Sequence, residues 1–302
     1  MKTIAANAAR FSAISDLMKH LLLLTFPVFL LSCGLFSPMN EQATQAKREF
    51  NQARLLVAQK RHAEALDRLD SAILLDPNNA IYYESAALVL FQLKRYDESI
   101  QYFQKAINLD PRNARLYDNL GIVLAASGQK AKAIDQFKKA IDADDDYYEA
   151  HVHLAVALSQ ESRIEEAEKA FEAAWKMQRR SDVGQNMVRH YLSLQRPDEA
   201  IRILQDMIDA DIEEFNATVT IALIYEDDKK DPQQAIKWFE KALSLDPTNY
   251  QVHLNLASTY RNMGNTAKAK EHYERFFQLV PAKGDAKLEE LKKKVRSEMK
   301  KL

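Results

Sequence analysis

A short pattern recurs seven times along this chain of 302 residues. Each copy begins with a small residue, and the copies start at Ala65, Ser99, Ala133, Ala167, Ala200, Ala235 and Ala269. The spacings between consecutive copies are 34, 34, 34, 33, 35 and 34 residues. A period of this length predicts a stacked repeat architecture, in which each unit buries its apolar side against its neighbours.

The residues inside each copy fall on one face of a helix. Four residues after the small residue comes an aromatic residue or leucine, and three residues later usually an alanine, as with Phe137 and Ala140 in the third copy. Spacings of four and three place all three positions on one helical stripe. The segment before each copy has its own stripe, with a small residue where two helices are expected to cross, at Ala53, Ala87, Gly121, Ala155, Ala222 and Ala257.

The residues between the stripes predict where helices begin and end. Asp-Pro pairs at Asp76, Asp110 and Asp246 predict helix ends, since a residue before proline avoids the helical conformation. Pro197 and Pro232 each stand three residues before a small residue, at a predicted first helical position where proline is tolerated. The chain has only 6 glycines and 8 prolines, which favours a helical protein.

The period and the two-helix pattern resemble the tetratricopeptide repeat. The resemblance implies an all-α solenoid, a right-handed superhelix of about seven helix-turn-helix repeats over residues 46–281. Beyond it, residues 282–302 place Leu288, Leu291, Val295 and Met299 on one face of a predicted helix. We expect this C-terminal capping helix to close the array and to expose its polar side, with Lys292 and its neighbouring lysines.

The beginning of the chain reads as a secretory leader. The apolar run from Leu21 to Leu31 is too short for a membrane span, which takes about twenty residues. Residues 1–32 therefore predict a signal peptide, with a possible true start at Met18. The sequence Leu-Leu-Ser-Cys resembles a bacterial lipobox, which implies lipidation of Cys33, followed by a linker to residue 45. Gly34 favours the outer membrane by the family rule, so the expected location is its periplasmic face. The alternative is an exported or soluble protein in which Cys33 is a buried thiol.

Motifs for chemistry are missing from the sequence. It contains no His-Glu-x-x-His, no Gly-x-Ser-x-Gly and no glycine-rich phosphate loop, so we expect no enzyme and no small-molecule substrate. Asp142, Asp144 and Asp146 open like a calcium loop, but Tyr147 stands where that loop needs glycine, and no metal or other cofactor is predicted. The formal net charge of −1, with both signs interspersed, gives no basis for a nucleic-acid partner.

The resemblance also implies a protein-binding surface. In tetratricopeptide proteins the concave groove is lined mainly by first-helix residues that do not pack between helices. Carried over position by position, the groove residues here are Glu84, Leu88, Phe91, Asp118, Ile122, Val152, Val156, Val219, Leu223, Leu254 and Arg261. The Lys and Asn pattern that clamps a terminal carboxylate in chaperone-binding members is absent. The aliphatic stripe suggests a groove for an extended or helical apolar segment, and the competing interpretation is that several of these residues complete the core.

Together these features predict a non-catalytic, lipid-anchored scaffold that binds a protein or peptide partner in the cell envelope. A lipoprotein with this repeat looks like the pilotin-type proteins of type IV pilus and secretin assembly, which is the leading specific hypothesis. It is also similar to lipoproteins that serve outer-membrane protein assembly or recruit cell-wall hydrolases. If the leader is not processed, the alternative is a cytosolic interaction module.

Overall fold

Residues 38–302, the part of the chain that this computed structural model describes, form fifteen α-helices. The leader, Met18, Cys33 and Gly34 lie outside the described residues, so the predictions made for them stay predictions. The chain divides into two units, Met1–Asp144 and Asp145–Leu302. Among the described residues, no helix is both long enough and apolar enough to span a bilayer.

The described part of the first unit contains three helix pairs. Its helices are α1 (Pro38–Ala58), α2 (His62–Leu75), α3 (Ala80–Gln92), α4 (Tyr96–Leu109), α5 (Ala114–Ala126) and α6 (Lys130–Ala143). Each first helix packs mainly on the second helix that follows it, α1 on α2, α3 on α4 and α5 on α6. Helix α1 begins inside the segment that the sequence assigns to a linker.

The second unit contains four helix pairs and one further helix. They are α7 (Tyr148–Gln160), α8 (Ile164–Met177), α9 (Ser181–Ser193), α10 (Pro197–Asp209), α11 (Glu214–Asp227), α12 (Pro232–Leu245), α13 (Tyr250–Asn262), α14 (Thr266–Leu279) and α15 (Ala286–Met299). The seven pairs and the added helix confirm the predicted all-α repeat fold. Asp76, Asp110 and Asp246 follow the last residues of α2, α4 and α12, and Pro197 and Pro232 open α10 and α12, as their positions in the sequence predict.

Small residues let the two helices of a repeat approach closely. Gly121 on α5 faces the ring of Phe137 on α6, and a Cβ added at Gly121 would lie 2.4 Å from the nearest ring atom. In the preceding repeat the small residue Ser99 is fully buried, and its hydroxyl donates a hydrogen bond of 2.7 Å to the carbonyl oxygen of Ala87. These contacts are the helix crossings that the repeated small residues predict.

Different residues fill the crossing of the helix pair α9 and α10. Val188 takes the small-residue position on α9, and α10 contributes Leu204 and Met207 where most repeats have an aromatic residue and an alanine. All three side chains are buried. Arg189, which the sequence places at or beside the small position, is exposed and donates to Asn186 Oδ1 at 2.7 Å.

Helix α15 closes the end of the second unit. Val295 is buried, and Leu288, Leu291 and Met299 pack with it against the cluster that contains Phe276, which confirms the predicted apolar face. The expectation that Lys292 lies on the solvated surface is wrong. Its side chain is buried, and Nζ donates to the carbonyl oxygen of Ala282 at 3.1 Å and to Glu289 at 2.8 Å, which satisfies the charge inside the fold.

Candidate functional site

The predicted groove residues of the first unit divide into exposed and buried side chains. Leu88 is 41% exposed, and Phe91 and Ile122 are partly exposed on α3 and α5. Glu84 and Asp118, in contrast, are only 6% and 2% exposed. The expectation that these two acidic side chains line an open groove is corrected by their burial, because both are enclosed within the first unit.

The burial of Glu84 is compensated by polar partners on the next first helix. Arg115 Nη2 donates to its carboxylate at 2.9 Å, and Asn119 Nδ2 donates at 3.3 Å. Burial raises the pKa of Glu84 above its ordinary value, although the guanidinium of Arg115 acts in the opposite direction. The group therefore joins α3 to α5, a structural role that its place in the repeat pattern did not indicate.

The predicted groove residues of the second unit show the same division. Leu223 on α11 is 36% exposed, and four further side chains are partly exposed, namely Val156, Val219, Leu254 and Arg261. Val152 on α7 is buried at 6% exposure, so its expected place in an open groove is corrected as well. Arg261 Nη1 forms an ion pair of 2.6 Å with Glu298 of α15. Whether any of the groove residues binds a partner stays a prediction.

A cavity of about 460 Å³ opens between α1, α2 and α3 in the first unit, and we name it the first-repeat pocket. Its apolar wall consists of Phe50, Ala53, Val57, Leu69, Leu88 and Val89. Its polar residues are Arg54, His62, Ser85 and Gln92. The predicted groove residue Leu88 thus forms part of a pocket, since helices on three sides enclose the space beside it.

An equivalent cavity of about 520 Å³ lies between α9, α10 and α11 in the second unit, and we name it the fifth-repeat pocket. Its lining includes Arg189, Leu192 and Leu204, each 135 residues after a lining residue of the first-repeat pocket, Arg54, Val57 and Leu69 respectively. The same repeat positions therefore form a cavity in each unit. The fifth-repeat pocket differs by the presence of Glu213, whose carboxylate accepts hydrogen bonds from Ser181 and Gln185.

The sequence analysis did not assign Arg54 and Arg189, the arginines that line the two pockets, to a site. The residue directly after the small residue of each first helix is Arg54, Leu88, Ile122, Val156, Arg189, Leu223 or Ser258 along the seven repeats. Aligning these positions as a column would have found the signal, because two cations interrupt an otherwise mostly aliphatic series. The aliphatic members were predicted as groove residues, whereas Arg54 and Arg189 were not.

A pair of histidines joins the two helices of the last repeat. Nδ1 of His253 on α13 lies 3.1 Å from Nδ1 of His272 on α14, and the ring of Tyr260 stacks on His272. Burial lowers the pKa of both imidazoles, and the nearby His253 further lowers that of His272. Within the described residues, no group of three or more His, Cys, Asp or Glu side chains is arranged to hold a metal ion.

Comparison with protein families supports the repeat architecture. Four sequence models described as "Tetratricopeptide repeat" match residues 78–146, 124–186, 217–249 and 238–271. Together they match more than half of the chain. No curated protein shows a significant match in sequence.

Solved structures with the same fold cover most of the chain. The C-terminal part of a repeat-containing protein from Cytophaga hutchinsonii aligns with a TM-score of 0.62 and 16% identity, over 80% of this chain and 98% of that one. PilF of Pseudomonas aeruginosa aligns with a TM-score of 0.54 and 16% identity, over 74% and 98%. PilW, described as a widely conserved type IV pilus biogenesis factor, aligns with a TM-score of 0.53 and 16% identity, over 67% of this chain and 94% of PilW. At these identities the similarity concerns the fold.

Proposed function

Because this chain belongs to the tetratricopeptide-repeat family, a family of protein-interaction scaffolds, we propose that its first helices bind a protein partner in the bacterial envelope. The observation that carries the proposal is the repeated exposure of an aliphatic residue at one first-helix position. Leu88 and Leu223 are 41% and 36% exposed, and Ile122 and Val156 are partly exposed. Apolar side chains kept at a solvent-accessible repeat position favour a peptide-binding surface, because folding alone does not require them there.

The envelope location rests on the leader. An apolar run of signal-peptide length directly precedes Cys33, the only cysteine of the chain, in a lipobox-like sequence. Acylation of that thiol would tether the repeats to the periplasmic face of the outer membrane, since several acyl chains together anchor a protein stably. Type IV pilus or secretin assembly is the specific role that we propose, from the combination of this leader with the repeat. PilW and PilF share the fold, and their similarity bears on the fold alone.

The location is tested by the mass of the N-terminal peptide after expression in a bacterial host. We expect the peptide to begin at Cys33 and to carry the mass of acyl chains, and the Cys33→Ala variant to lack that mass. A wild-type peptide that begins at Met1 or Met18 without acylation would contradict the envelope proposal. The scaffold would then be the cytosolic interaction module of the alternative interpretation.

The binding surface is tested by capture from detergent-solubilised envelopes. We expect the double variant Val156→Glu/Leu223→Glu to lose its captured partner while helicity and melting temperature stay near wild type, because two charges would be placed on the aliphatic surface. The matched control is Ile164→Glu/Leu245→Glu, which charges two residues of similar exposure on the second helices α8 and α12. Capture that survives in the first variant would move the binding surface elsewhere. The identity of the captured protein, a pilus or secretin component or another envelope protein, tests the specific role.

A further inference from the structure

The first-repeat pocket has the size and composition of a binding site. Its volume of about 460 Å³ lies within the range of about 300–1,000 Å³ that is typical of ligand pockets. Two of its apolar residues, Val57 on α1 and Leu88 on α3, remain 38% and 41% exposed at the opening. Phe50 and Leu69 line it as well. An apolar side chain that entered this space would remove both exposed residues from water.

The charge at the pocket is unbalanced. Arg54 is its one permanently charged lining residue, and no carboxylate lines it. Four arginines in the described part of the first unit form ion pairs, among them Arg61 with Glu64 and Arg115 with Glu84. Among the described residues Arg54 has no carboxylate within ion-pair distance. An unpaired guanidinium beside an apolar cavity fits a ligand that carries a negative charge next to an apolar group, since arginine forms bidentate hydrogen bonds to carboxylates.

A second polar group at the pocket lacks a partner. Nδ1 of His62, a lining residue at the start of α2, is buried and has no hydrogen-bond partner among residues 38–302. A buried polar atom without a partner is costly, and an extended peptide can satisfy it because its backbone offers both donors and acceptors. His62 therefore adds a polar contact at the wall, while Arg54 supplies the charge.

We propose that the first-repeat pocket binds an apolar side chain that stands next to a carboxylate in an extended segment of the partner protein. The apolar side chain fills the space between Phe50, Leu69 and Leu88, and the adjacent carboxylate pairs with Arg54. This inference deepens the proposed function by naming the chemistry of the partner. It rests on the proposal that first-helix surfaces bind protein.

The fifth-repeat pocket has the same arrangement of an arginine beside an apolar wall. Arg189 stands at the position of Arg54, with Leu192 and Leu204 at the positions of Val57 and Leu69. No ion pair of Arg189 with a carboxylate is present within the described part of the chain. Glu213 contributes a negative charge to this second pocket, so the first-repeat pocket is the one whose charge is complementary to an acidic segment.

The experiment uses the full chain and three synthetic octapeptides that share a Gly/Ser background. The central pair is Leu-Asp in the first peptide, Leu-Asn in the second and Ala-Asp in the third. Methyl-labelled leucine and valine residues report binding by NMR, with Leu88, Leu69 and Val57 at the pocket and Leu74, which is 84% exposed on α2, away from it. We expect the Leu-Asp peptide to shift the pocket methyls with about millimolar affinity, and the other two peptides to bind about fivefold to tenfold more weakly.

Matched variants localise the contacts. Arg54→Gln should weaken binding of the Leu-Asp peptide about fivefold to tenfold and leave binding of the Leu-Asn peptide unchanged, because only the carboxylate contact is lost. Arg48→Gln, on the same helix and outside the pocket, should have no effect. Leu88→Gln should weaken binding of both leucine-containing peptides, whereas Leu74→Gln should leave their binding unchanged.

Three results would overturn the inference. They are an absence of shifts at the pocket methyls, equal affinity for the Leu-Asp and Leu-Asn peptides, and equal weakening by Arg48→Gln and Arg54→Gln. Envelope capture that still depends on Val156 and Leu223 would then leave the proposed function standing with a different ligand chemistry. If capture no longer depended on those residues while the peptide still bound at Arg54, the aliphatic surface of the second unit would be excluded and the pocket retained.

Discussion

The third and fifth repeats fill the same space between their helices in opposite ways. In the third, Gly121 leaves room for the ring of Phe137, and Ala140 completes the contact. In the fifth, the larger Val188 and Met207 surround the smaller Leu204. The volume lost when leucine replaces phenylalanine at the central position is compensated by larger residues at the two other positions. Protein cores tolerate such combined substitutions when the total side-chain volume is kept.

The two solutions differ in how completely they fill the core. Leu204 and Met207 border the open fifth-repeat pocket, whereas the ring of Phe137 packs directly on the backbone at Gly121. Branched and flexible aliphatic side chains pack less regularly than a flat ring set against glycine. The difference teaches that the repeat pattern specifies a crossing of helices, while the residues that fill it decide which side chains border open space.

The largest expected difference between the repeats comes from truncating the central side chain. Phe137→Ala should lower the free energy of unfolding by about 3–5 kcal/mol, since it removes a buried ring and leaves a cavity. Leu204→Ala should cost less, about 2–3 kcal/mol, because the side chain already borders open space. Urea unfolding followed by circular dichroism measures both. Equal costs would show that the fifth repeat is packed as tightly as the third.

A smaller difference should follow when one methyl group is added to each core. A Cβ at Gly121 would lie 2.4–2.9 Å from three atoms of the rigid Phe137 ring, so we expect Gly121→Ala to cost about 1–2 kcal/mol. At Gly184 the nearest atom, at 2.7 Å, is Sδ of Met207, which belongs to a flexible side chain. Gly184→Ala should therefore change stability by less than about 1 kcal/mol, because gained helix propensity offsets the crowding. The same urea titration applies, and a larger loss at Gly184 would contradict the distinction.

The smallest effect concerns pH and compares the last repeat with the second. The lowered pKa values of His253 and His272 mean that the unfolded chain binds more protons below about pH 6.5, so stability falls as the pH decreases through that value. Glu240 and Glu271 favour protonation of His272, whereas Lys268 opposes it and Arg275 opposes that of His253. Hydrogen exchange in α13 and α14, corrected for intrinsic rates, should accelerate up to about tenfold between pH 7 and pH 5.5.

The control lies in helices α3 and α4, which contain no histidine. The raised pKa of Glu84 on α3 has the opposite effect on stability. A carboxyl group whose pKa is raised in the folded state stabilises the protein less as the pH rises, so acidification should not loosen this repeat. His272→Phe keeps an aromatic ring against Tyr260 and removes one titrating group, and it should flatten the response of α13 and α14. A pH response that is equal in both repeats would assign the effect to the whole chain.

Most of the fold could be predicted from the sequence, and less of the candidate site. The period located every helix pair, and the apolar face of α15 was read correctly from Leu288 to Met299. Glu84, Asp118 and Val152 were placed in an open groove by repeat position, yet they are buried because each packs against neighbouring helices. Lys292 was assigned to the surface, although it is buried. Its burial depends on the hydrogen bond to the carbonyl oxygen of Ala282, which no local sequence pattern reveals.

The sequence by itself determined the number of repeats, most of the residues that face a crossing and the helix boundaries that proline marks. These properties are local, because helix periodicity, proline and small residues act within one or two turns. Only the tertiary structure decided that Arg54, His62 and Leu88, from three different helices, meet around one cavity. Such a cavity depends on how side-chain volumes add across a crossing, which contacts between distant residues determine and the spacing of residues in one segment does not.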